Sequence, residues 1–313
     1  MNPTVKRPAG SRLRAWAELV RVFLTPTVLA DSHAGLFVAA AIVGGTPSAA
    51  ATVGVAALST LVYWSGMVAN DIFDLPRDVI RAPHRPIPSA RISLGAAAAF
   101  LFLLLVGAIA LGALLGIPAL ATALLLVVLA YDAGGKDIPF LGNILMGLCR
   151  GGNFLLGAAT LAGTRTAVTE ARTLAGAAIL TLFVACITAV SRLEDAPFNI
   201  RMLRFRALPI LAVPLVLALL RVTSPFLWID AALLALLLIL AARSASGTRG
   251  ATHGAAVFVR QALGGIFLLD SGIVLALGPE GSQWVRPVAT LYVLFVIAVF
   301  WRRAWVRRGG EGS

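Results

Sequence analysis

This 313-residue chain is short of charge: 13% of its residues are Asp, Glu, Lys or Arg, about half the share of an ordinary soluble domain. Acid is scarcer still, with 14 Asp and Glu against 26 Lys and Arg and a net charge of +12. Cysteine (two), histidine (three) and tyrosine (three) are also rare. Each shortage excludes something. Cys149 and Cys186 lie in apolar stretches with no His or Cys neighbour, so neither a disulfide framework nor a zinc site is indicated. Charges this few do not cover the surface of a water-soluble domain of this size. The basic residues fall between apolar runs, which points away from nucleic acid and towards a membrane surface.

What the chain has in abundance is apolar sequence: 59% hydrophobic residues and a mean hydropathy of +0.91. Runs such as LGAAAAFLFLLLVGAIALGALLG continue past twenty residues without a charge, long enough to cross a bilayer as a helix. Apolar segments fall at 19–43, 48–69, 93–115, 117–131, 141–162, 173–190, 207–221, 226–242, 256–277 and 286–301. They predict an all-α fold, a polytopic transmembrane bundle of nine or ten helices around a central cavity that opens to the cytoplasmic side. Only helices and closed barrels satisfy the backbone in lipid. The many Ala and Gly residues suit close helix–helix approach. Residues 1–18 read as a basic cytoplasmic tail with no cleavable signal, 19–303 as one transmembrane domain, and 304–313 as a cytoplasmic C-terminal tail.

Alternating the loops from a cytoplasmic N-terminus places twenty Lys and Arg on the cytoplasmic side and four on the other, leaving aside Arg150 and Arg260 within apolar segments. A bias of that kind sets topology. It puts both termini, and the three polar loops at 70–92, 131–140 and 191–206, in the cytoplasm of a cell-membrane protein.

The first of these loops begins NDIFDLPRD. Asp71, Asp74 and Asp78 fall at i, i+3 and i+7, on one face if the helix continues. Three like charges on one face repel unless a cation neutralises them. Magnesium suits the task, because it takes one or two carboxylates and keeps waters and substrate phosphates as its other ligands. Asn70 adds an amide oxygen. The following VIRAPHRPIPSARIS brings Arg81, Arg85 and Arg91, whose guanidinium groups suit phosphate oxygens. A solvated helix end with topology-setting arginines is the bland alternative.

NDIFDLPRD followed by RPIPSARIS resembles the signature of the UbiA superfamily of intramembrane prenyltransferases, N-D-x-x-D-x-x-x-D and then R-P-[IL]-[PA]-S-G. Asn70, Asp71, Asp74, Asp78, Arg85, Pro86, Pro88 and Ser89 match, and Ala90 stands where the family usually has Gly. The resemblance covers residues 19 to about 277, and the wording of ADSHAG and MGLCRGGNFLLG leans towards the EboC-like branch. It implies a second acidic motif after the sixth helix. SRLEDAPFNIR retains Glu194 and Asp195, while Ser191, Phe198 and Asn199 replace further acidic residues or Gly, so that motif is thin.

The resemblance implies an integral-membrane prenyltransferase that moves an isoprenoid group from a polyprenyl diphosphate to an unidentified acceptor, aromatic or another small or lipid molecule. Mg2+ would be held by Asp71, Asp74, Asp78, Glu194 and Asp195, with Asp71, Asp74 and Lys136 as the catalytic set. Asn70, Arg85, Arg91, Tyr131, Arg150, Asn153 and Arg192 would contact the diphosphate or line the pocket. Asp31, His33 and Asp270, ionisable groups within apolar segments, are weaker pocket candidates. The alternatives are an inactive relative, a transporter or lipid-binding protein, and a CDP-alcohol-type phosphotransferase. The charge bias makes its own prediction. A reporter fused within 70–92 should read cytoplasmic and one within 163–172 external; both on one side would put the segment count off by one.

Overall fold

In the computed structural model, residues 12–192, 200–221, 223–247, 251–278, 283 and 285–307 are described, and these form helices with no strand. A short α1 (Arg12–Leu19) leads through a 3-10 turn (Val22–Leu24) into α2 (Thr25–Val43). α3 (Ala49–Phe73) runs almost directly into α4 (Leu75–Arg81), followed by α5 (Leu94–Leu114) and α6 (Pro118–Asp132). After a second 3-10 turn (Gly135–Asp137) come α7 (Leu141–Thr169) and α8 (Ala171–Ser191). α9 (Ile200–Leu220), α10 (Pro225–Gly247), α11 (Ala251–Gly264), α12 (Ile266–Leu277) and α13 (Val285–Arg307) complete the order.

Each predicted apolar segment coincides with helix. Among the described residues seven stretches are long and apolar enough to cross a membrane, while α6, residues 208–220 and residues 287–297 are shorter apolar helices. Two segments are less regular than the sequence indicates. The first is broken at Arg21, which adopts left-handed backbone (φ 45°) before the 3-10 turn. The ninth is two helices, α11 and α12, that meet at Gly264 and Gly265.

Local chemistry sets the helix ends. Ser48 and Ser93 accept hydrogen bonds from the Ala51 and Ala96 amides, 3.1 and 3.2 Å, and so cap α3 and α5. Pro118 opens α6, where a missing N–H costs nothing. Apolar side chains such as Phe102, Leu103 and Leu182 remain on the outside, as expected where the surroundings are lipid.

α7 is the spine. It packs most extensively against α8 and α2, and residues from α2 and α7 enter the two largest apolar clusters, Ala34 and Phe154 on one side and Ala39 and Leu156 on the other. The α2–α7 contact is backbone against backbone. A Cβ on Gly157 would collide with the Ser32 carbonyl, and one on Gly35 with the Phe154 carbonyl. Only glycine permits that approach. Gly157→Ala should therefore destabilise the protein by about 1–3 kcal/mol or more through overpacking. A thermal melt in detergent indistinguishable from wild type would mean that the two backbones do not touch there.

Candidate active site

Helices α2, α3, α6, α7, α8 and α11 with α12 enclose a mostly apolar cavity of about 380 Å³. Its polar lining falls into two groups. Near the C-terminal end of α3 are Asn70, Arg21, Tyr131, Asp132 and Ser191; deeper are Thr27, Ser59, Arg150 and Asn153. Ser59 precedes Asn70 by eleven residues of α3, a rise of roughly 16 Å.

At the near end every acidic group of the NDIFDLPRD motif has a basic partner. Asp71, 3% exposed, accepts a hydrogen bond from Arg21 at 3.0 Å and lies 3.7 Å from Arg85. Asp78 accepts from Arg85 at 2.5 Å. Asp74 pairs with Lys136 at 2.8 Å and accepts from the Asn70 amide at 3.2 Å, and Lys136 also donates to the Asn70 side-chain oxygen at 3.3 Å.

The expected single face of three carboxylates is thus split. α3 ends at Phe73 and Asp74 is the cap residue between helices, so Asp71 and Asp78 share Arg85 while Asp74 turns to Lys136. Among the described residues no three acidic, His or Cys side chains converge enough to form a closed metal cage. The oxygen-only donor set nonetheless fits magnesium, which binds through one or two carboxylates and completes its shell with water and phosphate. Glu194 and Asp195 lie outside the described residues.

The other predicted residues divide. Tyr131, Arg150 and Asn153 line the cavity. Arg150 grips Asp31 through two contacts, 2.8 and 3.0 Å, and donates to Thr27 at 3.2 Å; fully buried Asp270 stands beside Asp31. Asn153 donates to the Val28 carbonyl (2.7 Å) and accepts from Ser59 (2.7 Å). Arg85, Arg91, Lys136 and Arg192 are not in the cavity wall. Arg91 is tied to Glu18 of α1, to Ser89 and to the His84 carbonyl. Arg192 donates to Asn143 (2.8 Å) and to the Lys136 carbonyl (2.6 Å), so it positions the turn that carries Lys136. His33 turns its Nδ1 to Leu29 of its own helix, 2.7 Å away, and is not in the cavity wall.

Sequence reasoning missed two residues at the near end. Arg21 passed as a topology charge, and nothing local marks it as the Asp71 partner. Asp132 follows the singled-out Tyr131 and ends an apolar helix, a signal that was there to be read.

The turn carrying Arg85 explains one departure from the motif. Ser89 donates to the Arg85 carbonyl at 2.6 Å and the Ala90 amide donates to the Ile87 carbonyl at 3.0 Å. To close that turn Ala90 adopts φ 54°, the left-handed region that glycine enters freely.

Comparison with known proteins bears on the family and the fold. A sequence model of the UbiA prenyltransferase family matches residues 32–263. Digeranylgeranylglyceryl phosphate synthase of Methanococcoides burtonii is 40% identical over 107 residues, 33% of this chain and 37% of that protein. The chain spans between 31% and 60% of the length of curated relatives bearing that name. The fold is shared with a UbiA homologue from Aeropyrum pernix, with a TM-score of 0.64 and 19% identity over 80% of this chain and 96% of that one. It is shared as well with a UbiA homologue from Archaeoglobus fulgidus bound to GPP and Mg2+, with a TM-score of 0.58 and 14% identity over 91% and 98%.

The left-handed Ala90 generates a stability prediction. A non-glycine residue there costs about 1–2 kcal/mol, partly offset by the greater unfolded-state entropy of glycine. Ala90→Gly should stabilise the protein by about 1 kcal/mol, raising the melting temperature by about 2–4 °C. A lower melting temperature would show that the turn does not need the left-handed conformation.

Proposed function

The chain belongs to the UbiA prenyltransferase family, and from that premise we propose that it is an integral-membrane prenyltransferase. It would transfer an isoprenoid group from an allylic polyprenyl diphosphate to an acceptor, with its near-end cluster and both termini in the cytoplasm. The observation that carries this reading is a cluster of paired carboxylates and cations at one end of a mostly apolar cavity.

Asp71, Asp74 and Asp78, with Asn70, are the groups that would hold magnesium, joined by Glu194 and Asp195. Bound there, magnesium would neutralise the leaving diphosphate. The chain's own part is an exchange of partners. In the ligand-free state Arg21, Arg85 and Lys136 neutralise the carboxylates. With the carboxylates holding a metal, these cations would be available to the diphosphate oxygens. Of these, Arg21 lines the cavity, and Lys136 adjoins it through Asn70. The allylic carbon–oxygen bond breaks with its electron pair going to the diphosphate. The acceptor's nucleophilic atom then bonds to that carbon and releases a proton. Apolar walls, among them Val62, Val128, Val184 and Leu263, keep water from the allylic cation.

The name of the curated relatives supports a lipid acceptor bearing a glyceryl phosphate. Arg150 does not favour a small aromatic acid, since its guanidinium is already committed to Asp31. The deep Thr27, Ser59 and Asn153 already hydrogen-bond within the protein, and the accepting capacity left on their oxygens is what an acceptor hydroxyl would use.

The test is incubation of purified protein with labelled prenyl diphosphates of several lengths, Mg2+ and a lipid extract. Labelled lipid and free diphosphate are expected, and Asp71→Asn or Asp74→Asn should lower turnover roughly 100-fold or more while the protein remains folded. Absence of magnesium-dependent turnover, or full turnover in both variants, would refute the proposal.

A further inference from the structure

Among the described residues, Asp132, the last of α6, is the one carboxylate lining the cavity. It is 4% exposed, and an atom at the Cβ position of Gly66 would lie 3.8 Å from its Oδ2. Gly66 is one helical turn inside Asn70 on α3, so the carboxyl lies one level deeper than the Asn70–Asp74 pair. Among the described residues no hydrogen bond or ion pair reaches it, whereas Asp71, Asp74 and Asp78 all have a cation in contact. Lys136 and Arg21 act on it only from farther away. Burying an ionised carboxyl without a partner is costly, and a bound cation would remove that cost.

The end of α8 supplies a second observation. Ser191 of α8 also lines the cavity. It is the position of the second acidic motif where the family resemblance implies an acid and a hydroxyl is found. A carboxylate lines the same cavity from α6 instead, at Asp132.

We propose that Asp132 is a magnesium ligand, supplying from the end of α6 the charge that the thin second motif lacks. The proposal rests on the prenyl-transfer reading of the site. Asp132 would complete a donor set with Asp74 and the Asn70 amide oxygen, and the remaining positions would go to water and diphosphate. Lys136, four residues beyond Asp132 in the 3-10 turn and holding Asn70 and Asp74, would pass to the diphosphate.

The test is direct metal binding by the full chain in detergent: titration with Mn2+, followed by electron paramagnetic resonance, in the presence of inorganic diphosphate. Asp132→Asn should weaken Mn2+ binding by about tenfold or more, and Asp132→Glu should retain most of it. Without metal, Asp132→Asn should melt no lower than wild type, because it removes an unpaired buried charge. Unchanged Mn2+ affinity in Asp132→Asn, with affinity lost in Asp74→Asn, would overturn the role of Asp132 and leave the prenyltransferase reading standing. Lost binding in both Asp132→Asn and Asp132→Glu with a lowered metal-free melting temperature would make Asp132 structural, and overturn it too. A wild type that takes up no Mn2+ with diphosphate would overturn both readings.

Discussion

A carboxylate enclosed in an apolar helix bundle needs a cation, and most of this site is arranged around that constraint. Taking an ionised group out of water costs several kcal/mol unless charge and hydrogen bonds compensate. Asp71 is nearly fully buried, so the chain brings Arg21 to it from the break between α1 and α2 and Arg85 from the turn after α4. Deeper, Asp31 is satisfied by Arg150, which fixes α2 to α7 where Gly35 and Gly157 allow the backbones to meet. Electrostatics and packing thus act on the same pair of helices, and together they hold the cavity wall in place.

The constraint also explains where backbone strain collects. The described non-glycine residues with positive φ are Arg21, Ala90 and Phe140, and all three flank the near end of the cavity. Arg21 turns so that its guanidinium reaches Asp71; Ala90 closes the turn that carries Arg85; Phe140 links the Lys136 turn to α7. Strain of roughly 1–3 kcal/mol per residue persists where the surroundings over-determine it. Here the surroundings are three cations that must be aimed at three carboxylates. Each of the three carboxylates of the motif is thereby neutralised from within the chain.

Hydropathy and charge made the bundle and its acidic motif legible, because in lipid every backbone group must be paired within its helix and exposed side chains must be apolar. The ten apolar segments all proved helical on those grounds. Less legible was which cation serves which carboxylate. Arg91 stands in the motif beside Arg85, yet it serves Glu18, and Arg21 is fifty residues from the carboxylate it serves. Such pairings are set by tertiary packing, to which sequence spacing is blind. The left-handed turn at Ala90 was half visible: the motif's usual glycine marked the position, and only the backbone supplied the reason.

The same rule bears on where the domain ends. The stretch matched by the family stops within α11, and nothing in the sequence of α13 signals chemistry. Yet Asp230 of α10 is 3% exposed, and its Oδ1 accepts a hydrogen bond from Tyr292 of α13 at 3.2 Å. Val288 and Leu291, also of α13, belong to the larger apolar cluster built on α2, α7 and α8. Without α13 an acid within an apolar helix would lose its hydroxyl partner, and one side of α2, the helix that carries Asp31, would lose its cover. α13 therefore packs against helices that wall the cavity, beyond the limit of the family match.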